Sequence, residues 1–598
     1  MGRSKAMEPM LAAAAFRYGM AGGLVYVQPA GPDSDGFEPA TAVDLATGDV
    51  GLSPPGETVE TPHLAHGVAG VACLGGSWAL VLVTEVLEVG WLEGGVIYKV
   101  TRTEVLAHPE GRSEEEERLL ELLRESVNPQ GAGRGLYYSP SQDLTLSLQQ
   151  RQALADRGEP CLADPYHHLF WNGHLAARFI DAGAGDFIVR LIHGSVQLLQ
   201  GMDWVCGPKH ALGNIAIISR RSVSRAGCRH WRRGADAQGH AANFVETEQV
   251  MEFNTSLEGT QLSVAAFVQL RGSVPLLWMQ PPNLQLLPRL TLGPPDSGRA
   301  ALQAHFAELQ KTYGQVQILS LLSEVRQEGQ LQMAFHEALA EIPAHKNNGR
   351  LMMTHFDVHK ECGGVLNSGF REKLLPKVEP TLASHGIFYR TTAGVQSRQR
   401  GVVRANCFDS LDRTNMAQQV MAARALEMAL IRTDLLLERP GLHLDLAYRL
   451  EERALRCAWA DHGDDLAMQY AGSGAMKSSY TRRGVVTLKS FAEDIAKVVA
   501  RYFINAFADG YKQDALDLVL GHARLERKSS ARRRQPRQVA PATVAAVLLA
   551  AAGWLGVGLW QLSPLSIVGG GGVLGALLAC GARLVNRPTL LPNAHKPW

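Results

Sequence analysis

The segment that most constrains the fold is residues 401–430, in which an apolar run, a short polar loop and a helical pattern follow one another. Residues 401–403 predict the end of a strand, and apolar residues after position 415 recur at helical spacing. The loop between them holds Cys407, five further residues, then Arg413 and Thr414. A helix that begins beside such a loop points the free N–H groups of its first turn into it. The segment therefore predicts an α/β unit with an anion-binding loop.

The residue types in this loop suit the cleavage of a phosphate ester. A cysteine thiolate is a strong nucleophile, so Cys407 would attack phosphorus and carry the phosphoryl group. Arg413 would hold the equatorial oxygens in a bidentate contact, and the Thr414 hydroxyl would hydrogen-bond the sulfur. Either Asp409 or Asp412 would protonate the leaving alcohol, and an aspartate at either position would serve equally well as a turn former.

The spacing from cysteine to arginine is a weak signal by itself, because the chain contains 8 Cys and 59 Lys and Arg. The wider run is more specific. Residues 404–415 read R-A-N-C-F-D-S-L-D-R-T-N, which resembles the Sac-domain phosphoinositide phosphatase signature R-x-N-C-x-D-C-L-D-R-T-N. One position departs, because Ser410 stands where the family has its second cysteine. That cysteine is not the family's nucleophile, so the change leaves catalysis intact and removes a possible disulfide partner of Cys407.

The resemblance extends over most of the chain. Further segments similar to family blocks are residues 67–70, 80–84, 137–139, 143–145, 170–172, 219–222, 225–227, 239–248, 271–275, 357–362, 472–477 and 507–514. The resemblance implies a two-part α/β (α+β) Sac domain, with a mostly β N-terminal domain at 1–190 and a mixed α/β catalytic domain at 191–523. In the first part, Ser113 precedes an acidic run and four leucines, which predicts a capped helix.

A headgroup that carries phosphates needs basic and polar residues beyond Arg413. The residues expected to bind it are Lys360 and Lys477, which lie inside family-like blocks, together with His359, Arg271, Asn406 and Ser410. Arg220, Arg221, Arg232 and Arg233 are weaker candidates, since a single arginine is usually a solvated surface charge. The resemblance implies phosphatidylinositol 4-phosphate as the main substrate, with 3-phosphate and some bisphosphate hydrolysis, a phosphocysteine intermediate and no metal or other cofactor.

The C-terminal region predicts a transmembrane helical hairpin at residues 541–583. No charged residue occurs between 538 and 582, and the 21 residues of 542–562 would span about 31 Å as a helix. Ser563 and Pro564 separate this span from a second one at 565–582. The basic linker at 524–540 and the tail at 584–598 flank the hairpin, which places both ends in the cytosol and beside anionic lipid. Membrane-anchored members of the family are enzymes of the endoplasmic reticulum and Golgi, so the resemblance implies that location.

Two other classes of function compete with this interpretation. His355, Asp357, His359 and Glu361 alternate and would share one face of an extended strand, which is a possible metal site. A catalytically silent scaffold that binds phosphoinositides would keep the fold and lose turnover. A net charge of +1 gives no indication of nucleic-acid binding. The 8 Cys are scattered, without a C-x-x-C pair, which fits a reducing compartment.

Overall fold

The computed structural model describes residues 16–21, 23–30, 40–53, 63–109, 111–160, 164, 167–255, 262–283, 285, 288–343, 350–363, 369–437, 448–476, 478–483, 488–523 and 590. Within these ranges the chain forms large sheets and twelve α-helices, which confirms the mixed α/β class. The predicted hairpin at 541–583 and the linker at 524–540 lie outside these ranges, as does the tail at 584–598 apart from residue 590. None of the helices in the described ranges is long and apolar enough to cross a bilayer.

The described residues fall into two compact units. The first contains the residues up to 200 together with 214–223 and 515–523, and the second contains 201–213 and 224–514. The domain boundary predicted at 190 from the sequence stays a prediction.

The first unit is rich in strands. Its strands are β1 Phe16–Ala21, β2 Leu24–Pro29, β3 Ala40–Asp44, β4 Val50–Ser53, β5 His63–Ala65, β6 Gly67–Cys73, β7 Trp78–Leu92, β8 Gly95–Ala107, β9 Leu136–Tyr138, and most of β10 Ile192–Cys206 and β11 Lys209–Arg221. Strands β1 to β5 form an antiparallel sheet in the order β4-β3-β2-β1-β5, and β6 to β10 form an antiparallel meander.

Three helices accompany these strands, namely α1 Glu114–Val127, α2 Leu148–Asp156 and α3 Gly173–Asp181. Helix α1 begins with a capping box. The Glu116 N–H donates to the Ser113 hydroxyl, and the Glu116 carboxylate accepts the Ser113 N–H. Its four leucines are buried, so the capped helix predicted from the sequence is confirmed. Helix α3 packs so closely on β6 that a Cβ at Gly70 would lie 2.2 Å from the Leu175 carbonyl oxygen, which only glycine permits.

The second unit has a mixed sheet in the order β17-β16-β20-β13-β12. Its strands are β12 Val245–Asn254, β13 Leu262–Arg271, β14 Trp278–Met279, β15 Thr291–Leu292, β16 Gln315–Ser320, β17 Leu351–His355, β18 Phe388–Thr391, β19 Gly394–Ser397 and β20 Gly401–Asn406. Strands β17, β16, β20 and β13 are parallel to one another, and β12 pairs antiparallel to β13. The hairpin β18–β19 extends from β13.

Nine helices belong wholly or largely to this unit. They are α4 Pro295–Tyr313, α5 Arg326–Ala340, α6 Val358–Cys362, α7 Phe370–His385, α8 Asp412–Arg432, α9 Arg449–Ala471, α10 Ser478–Arg483, α11 Leu488–Phe507 and α12 Asp509–Val519. Apolar side chains of α4 and α5 share one buried core with those of β16 and β20. Helix α8 is buried along most of its length because both the sheet and α9 pack on it.

The parallel strands bring four loops to one edge of this sheet. Ser320 at the end of β16 is in register with both His355 at the end of β17 and Asn406 at the end of β20. Arg271 at the end of β13 pairs with Ala405. Ligand sites of α/β sheets form at the carboxyl ends of parallel strands, so a ligand site is expected at this edge.

Candidate active site

The predicted strand–loop–helix unit is confirmed. Strand β20 ends at Asn406, and helix α8 begins at Asp412. Cys407 is therefore the first residue of a five-residue loop, and Arg413 lies in the first turn of the helix. The Cys407 side chain is buried, with 2% of the residue exposed. An anion held in this loop would lie at the positive end of the α8 dipole.

Two hydrogen-bond donors face the Cys407 sulfur. The Ser410 backbone N–H donates to Sγ at 3.0 Å, and the Thr414 hydroxyl donates to Sγ at 3.4 Å. The amide reaches the sulfur because Ser410 adopts a left-handed conformation with φ of 52°. Both contacts favour a negatively charged sulfur. The Thr414 contact is the one predicted from the sequence.

Arg413 is fixed at the edge of the loop by residues from the neighbouring β16 connection. Its Nη1 donates to the Leu321 carbonyl and to Glu328 Oε2, both at 2.9 Å, and its Nη2 donates to Glu328 Oε1 at 2.8 Å. Burial acts to lower the pKa of the Arg413 guanidinium, but its interactions with Cys407 and Glu328 outweigh burial, so that pKa is raised. Sequence reasoning missed Glu328, which carried only the weak signal of an acidic residue in a helix's first turn.

The Arg271 side chain is buried and donates hydrogen bonds to backbone carbonyls of the loop. Its Nε donates to the Ser410 carbonyl at 3.1 Å, and its Nη2 donates to the carbonyls of Ser410 and Leu411, the latter at 2.8 Å. Burial lowers the pKa of Arg271 to about 10, while the charges of Cys407 and Asp412 act in the opposite direction. The structure thus places this predicted binding residue under the loop backbone.

Asn406 and Ser410, the two loop positions expected to bind substrate, are both fully buried. The Asn406 side-chain nitrogen lies 3.5 Å from the Ser320 hydroxyl oxygen, and the backbone carbonyl of Asn406 accepts the Leu321 N–H at 2.8 Å. The Ser410 hydroxyl donates to the Gly272 carbonyl. These contacts shape the loop, and the Ser410 hydroxyl fills the position of the family's second cysteine with a stronger donor.

The two candidate acids have different surroundings. Asp409 accepts a bidentate contact from Arg229, at 3.0 and 2.7 Å, and a further hydrogen bond from Arg233 at 2.6 Å. Burial acts to raise the pKa of the Asp409 carboxyl, but the two guanidiniums outweigh it and hold that pKa well below its ordinary range. Asp409 is therefore an ionised partner of two arginines. Arg233 was a weak candidate for phosphate binding, and Arg229 was missed.

Asp412 is the first residue of α8. Its Oδ1 accepts the Met476 N–H at 2.7 Å, and its Oδ2 lies 3.8 Å from Arg501 Nη1. Arg501 also donates to the Ser473 hydroxyl and the Gly474 carbonyl, both at 3.0 Å. The family-like block at 472–477 thus lies against the loop through its backbone. Lys477, the binding candidate in that block, lies outside the described residues.

Lys360 and His359 lie in α6, which follows β17 at the same sheet edge. Lys360 Nζ donates to Glu324 Oε2 at 2.7 Å, and its side chain is 67% exposed. The N–H groups of both residues donate to Asp357 Oδ1, at 2.9 Å from His359 and 3.2 Å from Lys360. Asp357 also accepts the Glu324 N–H at 2.9 Å, so α6 is joined to the loop after β16, which contacts Arg413.

The extended strand assumed for the metal alternative is wrong. Strand β17 ends at His355, and Val358 already belongs to α6. Asp357 is the N-cap of that helix and accepts two of its N–H groups. His359 and Glu361 therefore do not continue one face of a strand with His355, because the chain turns between them.

The remaining basic candidates have structural contacts. Arg220 donates to the Leu146 carbonyl at 3.1 Å, and Arg221 lies 3.2 Å from His193 Nδ1, all within the first unit. In the second unit, Arg232 is buried and its carbonyl accepts the Tyr470 hydroxyl at 2.9 Å. The side chains of Arg220 and Arg221 are buried against backbone and ring groups and are not exposed to an incoming headgroup.

Comparisons with known proteins give one consistent result. A family model described as the SacI homology domain matches residues 66–363. The chain is 32% identical to the phosphoinositide phosphatase SAC7 of Arabidopsis thaliana, over 82% of each chain. It is 34% identical to the phosphatidylinositol-3-phosphatase SAC1 of Drosophila melanogaster, over 74% of this chain and 72% of that one. It is 32% identical to the phosphatidylinositol-3-phosphatase SAC1-B of Danio rerio, over 77% and 76%.

Proposed function

The chain belongs to the SacI homology domain family of phosphoinositide phosphatases, and we propose that it hydrolyses the phosphate monoester of phosphatidylinositol monophosphates with Cys407 as nucleophile. One observation carries this proposal. The Cys407 sulfur accepts hydrogen bonds from the Ser410 amide and the Thr414 hydroxyl at the start of a helix whose first turn holds Arg413. This arrangement stabilises a thiolate where a phosphate would bind.

The proposed reaction has two steps. In the first, the Cys407 thiolate attacks phosphorus, the bond from phosphorus to the inositol oxygen breaks, and a carboxylic acid gives its proton to that oxygen. In the second, the same group takes a proton from water as the water oxygen attacks the phosphocysteine. The sulfur–phosphorus bond then breaks and inorganic phosphate leaves. Arg413 and the loop amides balance the charge on the equatorial oxygens in both steps.

Asp412 is the better candidate for the acid. Asp409 is held as a carboxylate by Arg229 and Arg233, and a group with so low a pKa is a poor proton donor at neutral pH. Asp412 lies next to Arg413 at the start of α8, and its side chain is 11% exposed. The Met476 amide fixes the orientation of that carboxylate.

Phosphatidylinositol 4-phosphate is the proposed main substrate, with 3-phosphate as the second. The resemblance to membrane-anchored Sac proteins supports the 4-phosphate, and the names of the fly and zebrafish relatives support the 3-phosphate. The alternative is a silent phosphoinositide-binding scaffold. The presence of Cys407 in the loop with Arg413 and Thr414 in the first turn of α8 favours the enzyme.

Phosphate release from a panel of short-chain phosphoinositides distinguishes the two functions. We expect the full chain in detergent to release phosphate from the 4-phosphate and more slowly from the 3-phosphate, in the presence of EDTA. Cys407→Ser should lower release by at least about 10³-fold, because a serine hydroxyl in this loop has no base to activate it. The partly exposed Cys206 or Cys457 changed to Ser serves as control. Silence of the wild-type chain on every isomer would favour the scaffold.

Substrates that differ in leaving group identify the acid. We expect Asp412→Asn to lower kcat for the inositol lipid by about 10²–10⁴-fold. It should have a much smaller effect on an aryl phosphate, whose leaving group needs no proton. Asp409→Asn should lower both rates together, since it leaves Arg229 and Arg233 without their carboxylate. A leaving-group effect at Asp409 and none at Asp412 would reverse the assignment.

We further propose that residues 541–583 anchor the chain in the membrane of the endoplasmic reticulum and Golgi, with the catalytic domain and C-terminus cytosolic. The uncharged spans at 542–562 and 565–582 and their basic flanks support this proposal. The anchored head would meet its lipid substrate and an anionic surface.

Alkaline extraction of cell membranes tests the anchor. The full chain should stay in the membrane pellet and fractionate with endoplasmic reticulum and Golgi markers. A variant with Leu549→Arg and Leu574→Arg should move to the supernatant, because an arginine at mid-span costs about 2.5–3.5 kcal/mol on an insertion scale. A matched variant with Leu549→Ile and Leu574→Ile keeps the apolar character. Extraction of the wild-type chain would contradict the anchor.

A further inference from the structure

The guanidinium of Arg413 has five N–H donors, and three of them have protein acceptors. Both hydrogens of Nη1 are used, one by the Leu321 carbonyl and one by Glu328 Oε2, and one hydrogen of Nη2 is used by Glu328 Oε1. Glu328 therefore pairs with the end of the guanidinium formed by Nη1 and Nη2. Two parallel hydrogen bonds join the carboxylate to the guanidinium, and this bidentate geometry restricts the rotation of the arginine side chain.

The two remaining donors form the other fork of the same group. Among the described residues, the Nε–H and the second Nη2 hydrogen have no acceptor. These two N–H bonds lie in the guanidinium plane and point in the same direction, because Nε and Nη2 are on the same side of the group. Their spacing matches that of two phosphate oxygens. The side chain is 15% exposed, and Arg413 interacts electrostatically with Cys407. The unused fork is thus the part of Arg413 available to a phosphoryl group near the sulfur.

Glu328 is itself held in place from several directions. It lies in the first turn of α5, and its Oε2 also accepts the Ser323 N–H at 2.9 Å. The following residue is Gly329, where a Cβ would lie 2.3 Å from the Glu324 carbonyl oxygen. Asp357 fixes the same connection by accepting the Glu324 N–H. These contacts restrict the movement of the Glu328 carboxylate.

A second carboxylate, that of Asp409, lies near the same guanidinium. Asp409 also raises the pKa of Arg413 and so lies within electrostatic range of it. Arg229 and Arg233 occupy the oxygens of Asp409, while Glu328 occupies one end of Arg413. Both carboxylates are therefore already bound to guanidiniums, Asp409 to those of Arg229 and Arg233 and Glu328 to that of Arg413.

We propose that Glu328 is a positioning residue for the phosphatase reaction: it holds Arg413 by one fork so that the other fork, Nε and Nη2, faces the phosphoryl group on Cys407. This proposal rests on the proposed function, since it assumes that Cys407 receives the phosphate. Glu328 touches neither substrate nor sulfur in this role. It acts only through the orientation of Arg413.

The first test measures catalysis and the binding of orthovanadate, an inorganic phosphate analogue that needs no turnover. We expect Glu328→Gln in the full chain to lower kcat about 10–100-fold, the range produced by misplacing a group by about 1 Å, and to weaken vanadate affinity at least tenfold. Glu328→Asp keeps the charge and shortens the reach, so it should give an intermediate loss. Glu337→Gln, an exposed glutamate on the same helix, should match the wild-type chain.

The second test separates the positioning of Arg413 from a purely structural role of Glu328. If Glu328 acts through Arg413, then Glu328→Gln should change single-turnover phosphate release less than twofold in an Arg413→Ala background. Equal losses with and without Arg413, accompanied by a lower melting temperature, would mean that Glu328 only fixes the connection before α5 through the Ser323 N–H. Wild-type kcat and vanadate affinity in Glu328→Gln, or a faster reaction, would also overturn the proposal. Release that persists in Cys407→Ser would instead refute the proposed function.

Discussion

The loop between β20 and α8 depends on how its buried carbonyl groups are satisfied. A loop whose amides face inward toward an anion turns its carbonyls outward, and a buried carbonyl without a donor is costly. Arg233 donates to the Phe408 carbonyl, and Arg271 donates to those of Ser410 and Leu411. Arg271 reaches the loop from the end of β13, and Arg233 reaches it from the segment after β11. The Ser410 amide stays directed at the Cys407 sulfur because buried arginines hold the carbonyl groups of the loop.

The charges of these arginines are balanced locally. Asp409 pairs with Arg229 and Arg233, Glu328 pairs with Arg413, and Asp412 lies near Arg501. Buried charges stay ionised only when they are paired and hydrogen-bonded. Arg271, which donates hydrogen bonds to backbone carbonyls of the loop, adds a positive charge near Cys407 in excess of these pairs. A thiolate and then a phosphoryl dianion are the species that this excess suits.

The local parts of the site could be predicted from the sequence because they are close together in the chain. Strand β20, helix α8, the position of Cys407 and the Thr414 contact all follow from residues within about 30 positions, where periodicity and turn geometry decide the structure. The family-like run then supplied the chemistry. The capped helix α1 was predictable for the same reason, since a capping box is read within four residues.

The partners of these residues could not be predicted, because they are distant in the chain. Glu328 lies 85 residues from Arg413, and Arg229 lies 180 residues from Asp409. Nothing near either residue indicates such a pairing, since any exposed helix also carries glutamates and arginines. Arg271 was expected in the binding site for its charge and is instead buried under the loop. The turn after His355, set by the Asp357 cap, also depends on the Glu324 amide from another loop.

The central claim is that Cys407 carries the phosphoryl group, and trapping this intermediate tests it most directly. Lipid substrate with radiolabelled phosphate is mixed with excess enzyme, quenched in acid within milliseconds and digested for peptide mapping. The account predicts label on the peptide that contains Cys407, lost in Cys407→Ser and released over time in the wild-type chain as inorganic phosphate. Label on another residue, or rapid phosphate release without any labelled peptide in both chains, would contradict it.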